Sequence, residues 1–435
     1  MTALPEEWVL SEVAERFRDP QGVADLHARA RATKYCAHPI FLRTVTTIER
    51  RSTKISADDY NGRIARPCGS RIRSYCEACS YLYYGDSLQM VRTGLIGGKG
   101  IPETVAEHPK VFLTLTAPSF GRVHASSGVC HPALRRACRH GRSLRCGIEH
   151  RWEDPTVGVP LCHECYDGPG QILFNASISR LWDYTLIGLR RELSRGAGVS
   201  VRRGQELVRL EYLRVFELQR RGALHAHAIV RLDSWNNLTE EPTLSVEDLV
   251  GAIDRVIPHV KLKLALAKGN RVLTWGPEVD LQVVEPAFVD QISGYVSKYL
   301  SKDIGVDLAA EEESGGQSHL AYLASLAGDM AKDPIFLRQV SHRNARSLGF
   351  GGHLMSASKR FSLSRSALSA IRRDFAQMAR EARGEAPDQA FDEEMTYRYD
   401  GRDWASTGDA WLVELERQQR LAAIKEGKEV IREGR

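Results

Sequence analysis

The segment EYLRVFELQRRGALHAHAIVRL, residues 211 to 232, constrains the fold more than any other stretch. Two strand-like runs are joined by Arg220, Arg221 and Gly222, and a three-residue loop with glycine at its left-handed position is a common hairpin connection. Counting outward from Arg221 pairs Glu217 with His225 and Val215 with His227. Alternation then puts Glu217, His225 and His227 on one face of a pleated surface. Two imidazoles and a carboxylate leave several coordination positions open, which suits a catalytic divalent ion. The bland alternative is a pair of ordinary hydrogen-bonded histidines. A register slip of one residue would turn Glu217 to the opposite face, so its place depends on the loop more than that of the histidines does.

Around this hairpin the text alternates between strand and helix patterns. Strands are expected at 111 to 116 (VFLTLT), 210 to 218, 223 to 232 and 278 to 284 (EVDLQVV). Helices are expected at 178 to 193 and at 245 to 257, the latter opening on Ser245 and Asp248 spaced as a capping box. Hairpin-connected strands with interspersed helices indicate an α+β fold with an antiparallel sheet flanked by helices, not a doubly wound parallel one. At 435 residues the chain exceeds the size of a single core, and three zones are drawn. Residues 1–105 hold an amphipathic helix and a cysteine cluster. Residues 106–305 hold the strands, with an inserted Cys, His, Gly and Pro-rich module at about 121–172. Residues 306–435 read as mainly helical, with a clear helix at 364 to 383, a polar, partly irregular stretch at 384 to 410 and an acidic tail.

A second chemical feature lies downstream. EPAFVDQISGYVSKYLSKD at 285 to 303 reads as a helix with Pro286 in its first turn. Tyr295 and Tyr299 are four apart and share a face, each followed three residues later by a lysine, Lys298 and Lys302. One reading places both rings with Phe288 and Ile292 on a buried stripe. The other makes a tyrosine the nucleophile of a phosphoryl transfer. A phenol with pKa about 10 is a poor nucleophile at neutral pH without help, which a bound metal and a nearby ammonium can supply.

Nine cysteines in a chain with no export signal and no long apolar run point to a reducing, cytoplasmic setting and away from disulfides. Cys76-x-x-Cys79 and Cys162-x-x-Cys165 have the spacing of structural zinc knuckles. Cys36 and Cys68 are the expected partners of the first pair, and Cys138 and Cys146 of the second, with His140, His150 or His163 as substitutes. Cys130 has no assigned place. The alternative use of these thiols is small core filler. Charge is uneven: residues 381–435 hold 9 Lys/Arg against 14 Asp/Glu, so the +5 of the whole chain conceals a basic body. RRACRHGRSLRC at 135 to 146 offers Arg135, Arg136, Arg142 and Arg145 as DNA-phosphate contacts. No phosphate-binding P-loop sequence is present, and GLIGGKG at 94 to 100 lacks its spacing.

Taken in order, FLTLTAPS (112 to 119), GALHAHAIVRLD (222 to 233) and YVSKYLSK (295 to 302) resemble the three motifs of HUH-class rolling-circle initiators. YCAHPIFLR, CEACSYLYYGD, VPLCHECYDG and LGFGGH extend the resemblance to the RepSA-type initiators of actinobacterial plasmids and integrative conjugative elements. It covers most of the chain to about His353. The resemblance implies an HUH-endonuclease sheet with the His pair on a central strand and the tyrosine helix packed across it. It implies Mn or Mg held by His225 and His227, with Thr114 and Thr116 on the adjacent strand. The expected activity is a metal-dependent nick of one strand at single-stranded or cruciform origin DNA, with a 5′-phosphotyrosine intermediate and strand rejoining. A host helicase and polymerase are expected partners, and no membrane is. Which of Tyr295 and Tyr299 attacks first stays open. A non-catalytic zinc-dependent DNA-binding regulator and an HUH transposase or relaxase remain as alternatives.

Overall fold

A computed structural model describes residues 6–45, 63–132, 137–267, 269–300, 318–336, 338–382 and 396–433. In chain order the described elements begin with α1 (Glu7–Arg16), α2 (Pro20–Ala32), β1 (Ile40–Val45), β2 (Arg63–Arg66), α3 (Glu77–Ile96) and β3 (Lys110–Leu115). There follow α4 (Gly168–Gly196), α5 (Val201–Leu207), β4 (Val208–Leu218), β5 (Leu224–Ser234), α6 (Val246–Val256), β6 (Leu262–Leu266), β7 (Gly269–Leu273) and β8 (Val279–Val283). The last are α7 (Val289–Leu300), α8 (His319–Met330), β9 (Met355–Ala357), α9 (Arg365–Glu381), β10 (Thr396–Arg402) and α10 (Thr407–Glu433). The fold is mixed α and β with antiparallel sheets. Among the described residues no helix is long and apolar enough to cross a membrane.

The chain divides into two units that do not follow the three consecutive zones. The larger takes its described parts from Leu88–Leu300 and Ile304–Arg365. Its five-stranded sheet has the order β8-β3-β5-β4-β9, every neighbour antiparallel. β4 and β5 pair in the register counted from the sequence, Glu217 opposite His225 and Val215 opposite His227. Leu218 and Leu224 are the last pair, the Gln219 N–H donates to the Ala223 carbonyl at 2.9 Å, and Gly222 turns the loop at φ +78°. Only glycine adopts that conformation without strain.

Alternation gives the sheet two chemically different faces. Val111, Leu113, Leu115, Leu210, Phe216, Leu224, Ala226, Ala228, Val230 and Leu232 point one way and pack in the main core with Trp182, Leu189, Leu249 and Leu323 from the helices. The opposite face carries Thr114, Glu217, His225 and His227. The capping box at Ser245 and Asp248 forms as expected at the start of α6.

α4 is longer than its sequence pattern suggested. It starts at Gly168, where the Asp167 side chain accepts from the Gly170 N–H at 3.0 Å and Pro169 occupies the first turn. Residues 170–175 are buried on every side, including Gln171 and Asn175, so they show no amphipathic period. The cysteine-rich insert therefore ends before residue 168 and not at 172.

The smaller unit takes its described parts from Met1–Ser87 and Ser366–Arg435. β1 is the middle strand of a β10-β1-β2 sheet. Leu26, Ala30, Tyr35 and Phe41 share a core with Trp404, Leu412 and Val413. Arg16 forms a two-pronged ion pair with the buried Asp409 carboxylate, its Nε lying 2.7 Å from Oδ1. Within the stretch read as polar and partly irregular, Thr396–Arg402 is a strand. The tail is helical as read, and α10 packs into this unit's core through Leu412 and Val413.

Candidate active site and metal clusters

His227 is fixed from two sides on the polar face of the sheet. Its Nδ1 lies 3.1 Å from Thr114 Oγ1 on β3, and its Nε2 lies 3.1 Å from Glu217 Oε2 on β4. The ring is 3% exposed. His225 lies two residues away on the same face, 6.5 Å between ring centroids. Its Nε2 is buried with no hydrogen-bond partner among the described residues. Burial first, then the nearby Arg221 and His227 charges, pushes the His225 pKa down to about 3. The ring is thus a neutral base with a buried nitrogen unspent on protein contacts, which is the state a metal ligand requires. The donor set of two imidazoles and a carboxylate fits a divalent cation. Glu217, His225 and His227 are nevertheless not among the groups of described residues whose ligand atoms all lie within 4.8 Å of one another.

α7 crosses this face. Val289, Ile292, Ser293, Val296 and Ser297 form its buried stripe, while Phe288 is 49% and Tyr295 39% exposed. The stripe reading that buried the tyrosine with Phe288 is therefore not what the helix does. Two small serines take the inner positions and roll Tyr295 to the rim. There its ring stands edge-on to His227, centroids 5.4 Å apart at 88°, and edge-on to Phe112 at 5.9 Å. Lys298 is exposed on the next turn. Only the backbone of Tyr299 is described, and Lys302 lies outside the described residues. Thr116 donates to the Glu278 carbonyl at 2.9 Å and so ties strand ends together without meeting the histidines.

The cysteines gather into three groups, not two. Cys36, Cys68, Cys76 and Cys79 converge as expected, with the Cys68 N–H 3.2 Å from Cys36 Sγ and the Ala37 N–H 3.4 Å from Cys76 Sγ. Hydrogen bonding from Cys36 and Cys79 drives the Cys76 thiol far below its ordinary pKa. Cys138, Cys162 and Cys165 converge with His140, whose Nδ1 is 3.3 Å from Cys165 Sγ. Cys146 does not belong to that group, contrary to the expected set. It lies with Cys130, His124 and His150. The local spacing of the knuckle is readable from sequence, whereas the choice between Cys146 and His140 depends on how the intervening loops cross. His163 is not a member of the second group and packs against His319 and Tyr322. Arg142 and Arg145 are exposed on the insert, and Arg135 and Arg136 lie outside the described residues.

Comparison with known proteins now bears on this arrangement. Residues 22–418 match the RepSA family, described as "Replication initiator protein, pSAM2". The chain belongs to the RepSA replication initiator family. A relative from Streptomyces ambofaciens named "Replication initiator protein" is 32% identical over 400 residues, covering 82% of this chain and 84% of its own length. No solved structure matches.

In this RepSA chain several positioning residues went unread in the sequence. Asn175 of α4 donates from Nδ2 to the Gly222 carbonyl at 2.8 Å, and its Oδ1 accepts from the Leu224 N–H at 3.1 Å. Gln171 donates to the Arg221 carbonyl at 2.9 Å. These two buried amides hold the loop of the histidine hairpin. Trp152, 65% exposed on the insert, lies under the Arg220 guanidinium at 5.3 Å. A polar pair inside an apolar helix run was the available signal for the amides, and none marked the tryptophan.

Proposed function

We propose that this initiator begins rolling-circle replication by nicking one strand of origin DNA with Tyr295. The observation that carries the reading is the edge-on approach of the exposed Tyr295 ring to His227, on the face where Glu217 and His225 also stand. The Tyr295 oxygen attacks the scissile phosphorus. The bond from phosphorus to the 3′ oxygen breaks, and that oxygen leaves as a 3′-hydroxyl, the proton it takes up balancing the one the Tyr295 phenol gives up. A 5′-phosphotyrosine ester remains, and the reverse attack by a 3′-hydroxyl rejoins the strand without external energy. His225, His227 and Glu217 would hold a Mn or Mg ion, which when bound supplies Lewis-acid polarisation of a non-bridging phosphate oxygen. Thr114 and Glu217 orient the His227 ring. Tyr299, one helical turn on, serves as a second acceptor while the first tyrosine carries DNA.

Zinc in the cysteine groups is the structural complement of this reading, since closed four-ligand sites stabilise folds and do not themselves cut DNA. Arg142 and Arg145 on the insert contact phosphates, and unwinding falls to a host helicase. The test is incubation of the protein with single-stranded origin DNA labelled 3′ of the nick, with Mn, Mg or EDTA, followed by a denaturing gel and peptide mapping. The expected result is a metal-dependent adduct on Tyr295, lost in Tyr295→Phe while DNA binding persists. An adduct confined to Tyr299 would reassign the nucleophile. No adduct with binding retained would leave a zinc-dependent DNA-binding regulator.

A further inference from the structure

The insert holds a group of side chains that the nicking chemistry does not use. His124, Cys130, Cys146 and His150 present ligand atoms that all lie within 4.8 Å of one another. His124 Nδ1 is 3.2 Å from His150 Nε2, Cys146 Sγ is 3.2 Å from His150 Nε2, and Cys130 Sγ is 3.8 Å from His124 Nδ1. Bond lengths of about 2.3 Å for zinc to sulfur and about 2.0 Å for zinc to nitrogen put tetrahedral ligands about 3.3 to 3.8 Å apart. The observed separations are of that size.

The surroundings prepare the same atoms. The far nitrogen of His150, Nδ1, is 2.6 Å from the Asp154 carboxylate, which holds the proton there and leaves Nε2 as a lone pair facing the sulfurs. Thr156 in turn donates to Asp154 from its N–H and hydroxyl. The Ala125 N–H is 3.5 Å from Cys130 Sγ, a donor placed for a thiolate. The two cysteine segments are laced together, with the Cys130 N–H donating to the Ile148 carbonyl and the Gly147 N–H to the Cys130 carbonyl. Two imidazoles alone could share one proton. Two thiols converging on the same point, with a carboxylate fixing the tautomer of one ring, are the arrangement of a closed metal site.

We infer that the insert carries a further zinc centre with two thiolate and two imidazole ligands, formed by His124, Cys130, Cys146 and His150 and distinct from the two knuckle groups. With it, all nine cysteines of the chain belong to one of three groups. The centre also ties the insert to the histidine hairpin. The Asp154 carbonyl accepts from Arg220 Nη1 at 3.1 Å. Gly158 bonds through its N–H to the His124 carbonyl, and a Cβ there would fall 2.7 Å from the Arg220 backbone. The ligand segment is thus seated directly on the loop between β4 and β5.

The full chain, purified from zinc-containing medium, tests this by native mass spectrometry, elemental analysis and zinc X-ray absorption. Three zinc ions per chain are expected, with an average shell of three sulfurs and one nitrogen. The first group offers four thiolates, the second three thiolates and one imidazole, and the third two of each. Cys146→Ser should bind two ions, and Cys146→His should restore the third with a lower sulfur fraction. Amide exchange at the hairpin loop should rise in Cys146→Ser and return in Cys146→His. Two zinc ions in the wild-type chain, with Cys130 and Cys146 alkylated under native conditions, would overturn the inference. That wild-type count decides the matter even if the serine variant fails to fold.

Discussion

His227 owes its orientation to two neighbours of different kinds. Glu217 comes from the adjacent arm of the same hairpin, while Thr114 comes from a strand about a hundred residues earlier, and its hydroxyl meets the Nδ1 side of the ring. The hydroxyl can donate or accept at Nδ1, so it holds the ring in place whichever nitrogen carries the proton. Thr114→Val keeps the shape and removes that bond. Because partners that orient a ligating histidine typically matter by about 10–100-fold, cleavage should fall by roughly that factor with little change in thermal stability. A gel-based nicking assay beside a melting curve checks both, and an unchanged rate would mean that Glu217 alone orients the ring.

At the scale of elements, the histidine hairpin is held by a helix as much as by its own strands. Asn175 satisfies the Gly222 carbonyl and the Leu224 N–H from the interior of α4. Asn175→Leu would leave both buried backbone groups without their partner, at about 1–3 kcal/mol for each. Urea unfolding should therefore show a loss of at least about 2 kcal/mol, and amide exchange should rise first at Arg221–Leu224. The hairpin itself was readable because its determinants are local: loop chemistry, alternation and a glycine at the turn. The opening turns of α4 were not, since a helix buried on all sides has no polar stripe to betray its period. β10 was unreadable for another reason. Its polar sequence, TYRYDGR, acquires strand character from β1, a partner some 350 residues distant. In the same way the pairs Cys76/Cys79 and Cys162/Cys165 announced themselves by spacing, whereas the company of Cys146 is decided by loops that cross in space.

For the molecule as a whole, the separation of charge along the chain bears on how it meets DNA. The acidic residues of the final segment are partly committed inside their own unit, Asp409 to Arg16 and Glu416 to His27 and Arg31. Arg142 and Arg145 stand exposed on the cysteine-rich insert. If they contact phosphates, Arg142→Ala and Arg145→Ala should each reduce the dependence of log affinity on log salt by about 0.7 for single-stranded DNA, equally for all base sequences. A titration at several salt concentrations reads this directly. An unchanged slope would return these side chains to the solvated surface.

The pairing of β1 with β10 also has a consequence in time. A ribosome that has just released Ile40–Val45 must still add some 350 residues before Thr396–Arg402 exists to flank it. At about 5–20 residues per second, that is a wait of roughly 20 to 70 seconds. The histidine hairpin, whose arms leave the ribosome within seconds of each other, need not wait. The strand on which the smaller unit is built thus spends that interval with one edge unfilled, until a much later stretch of the chain closes it.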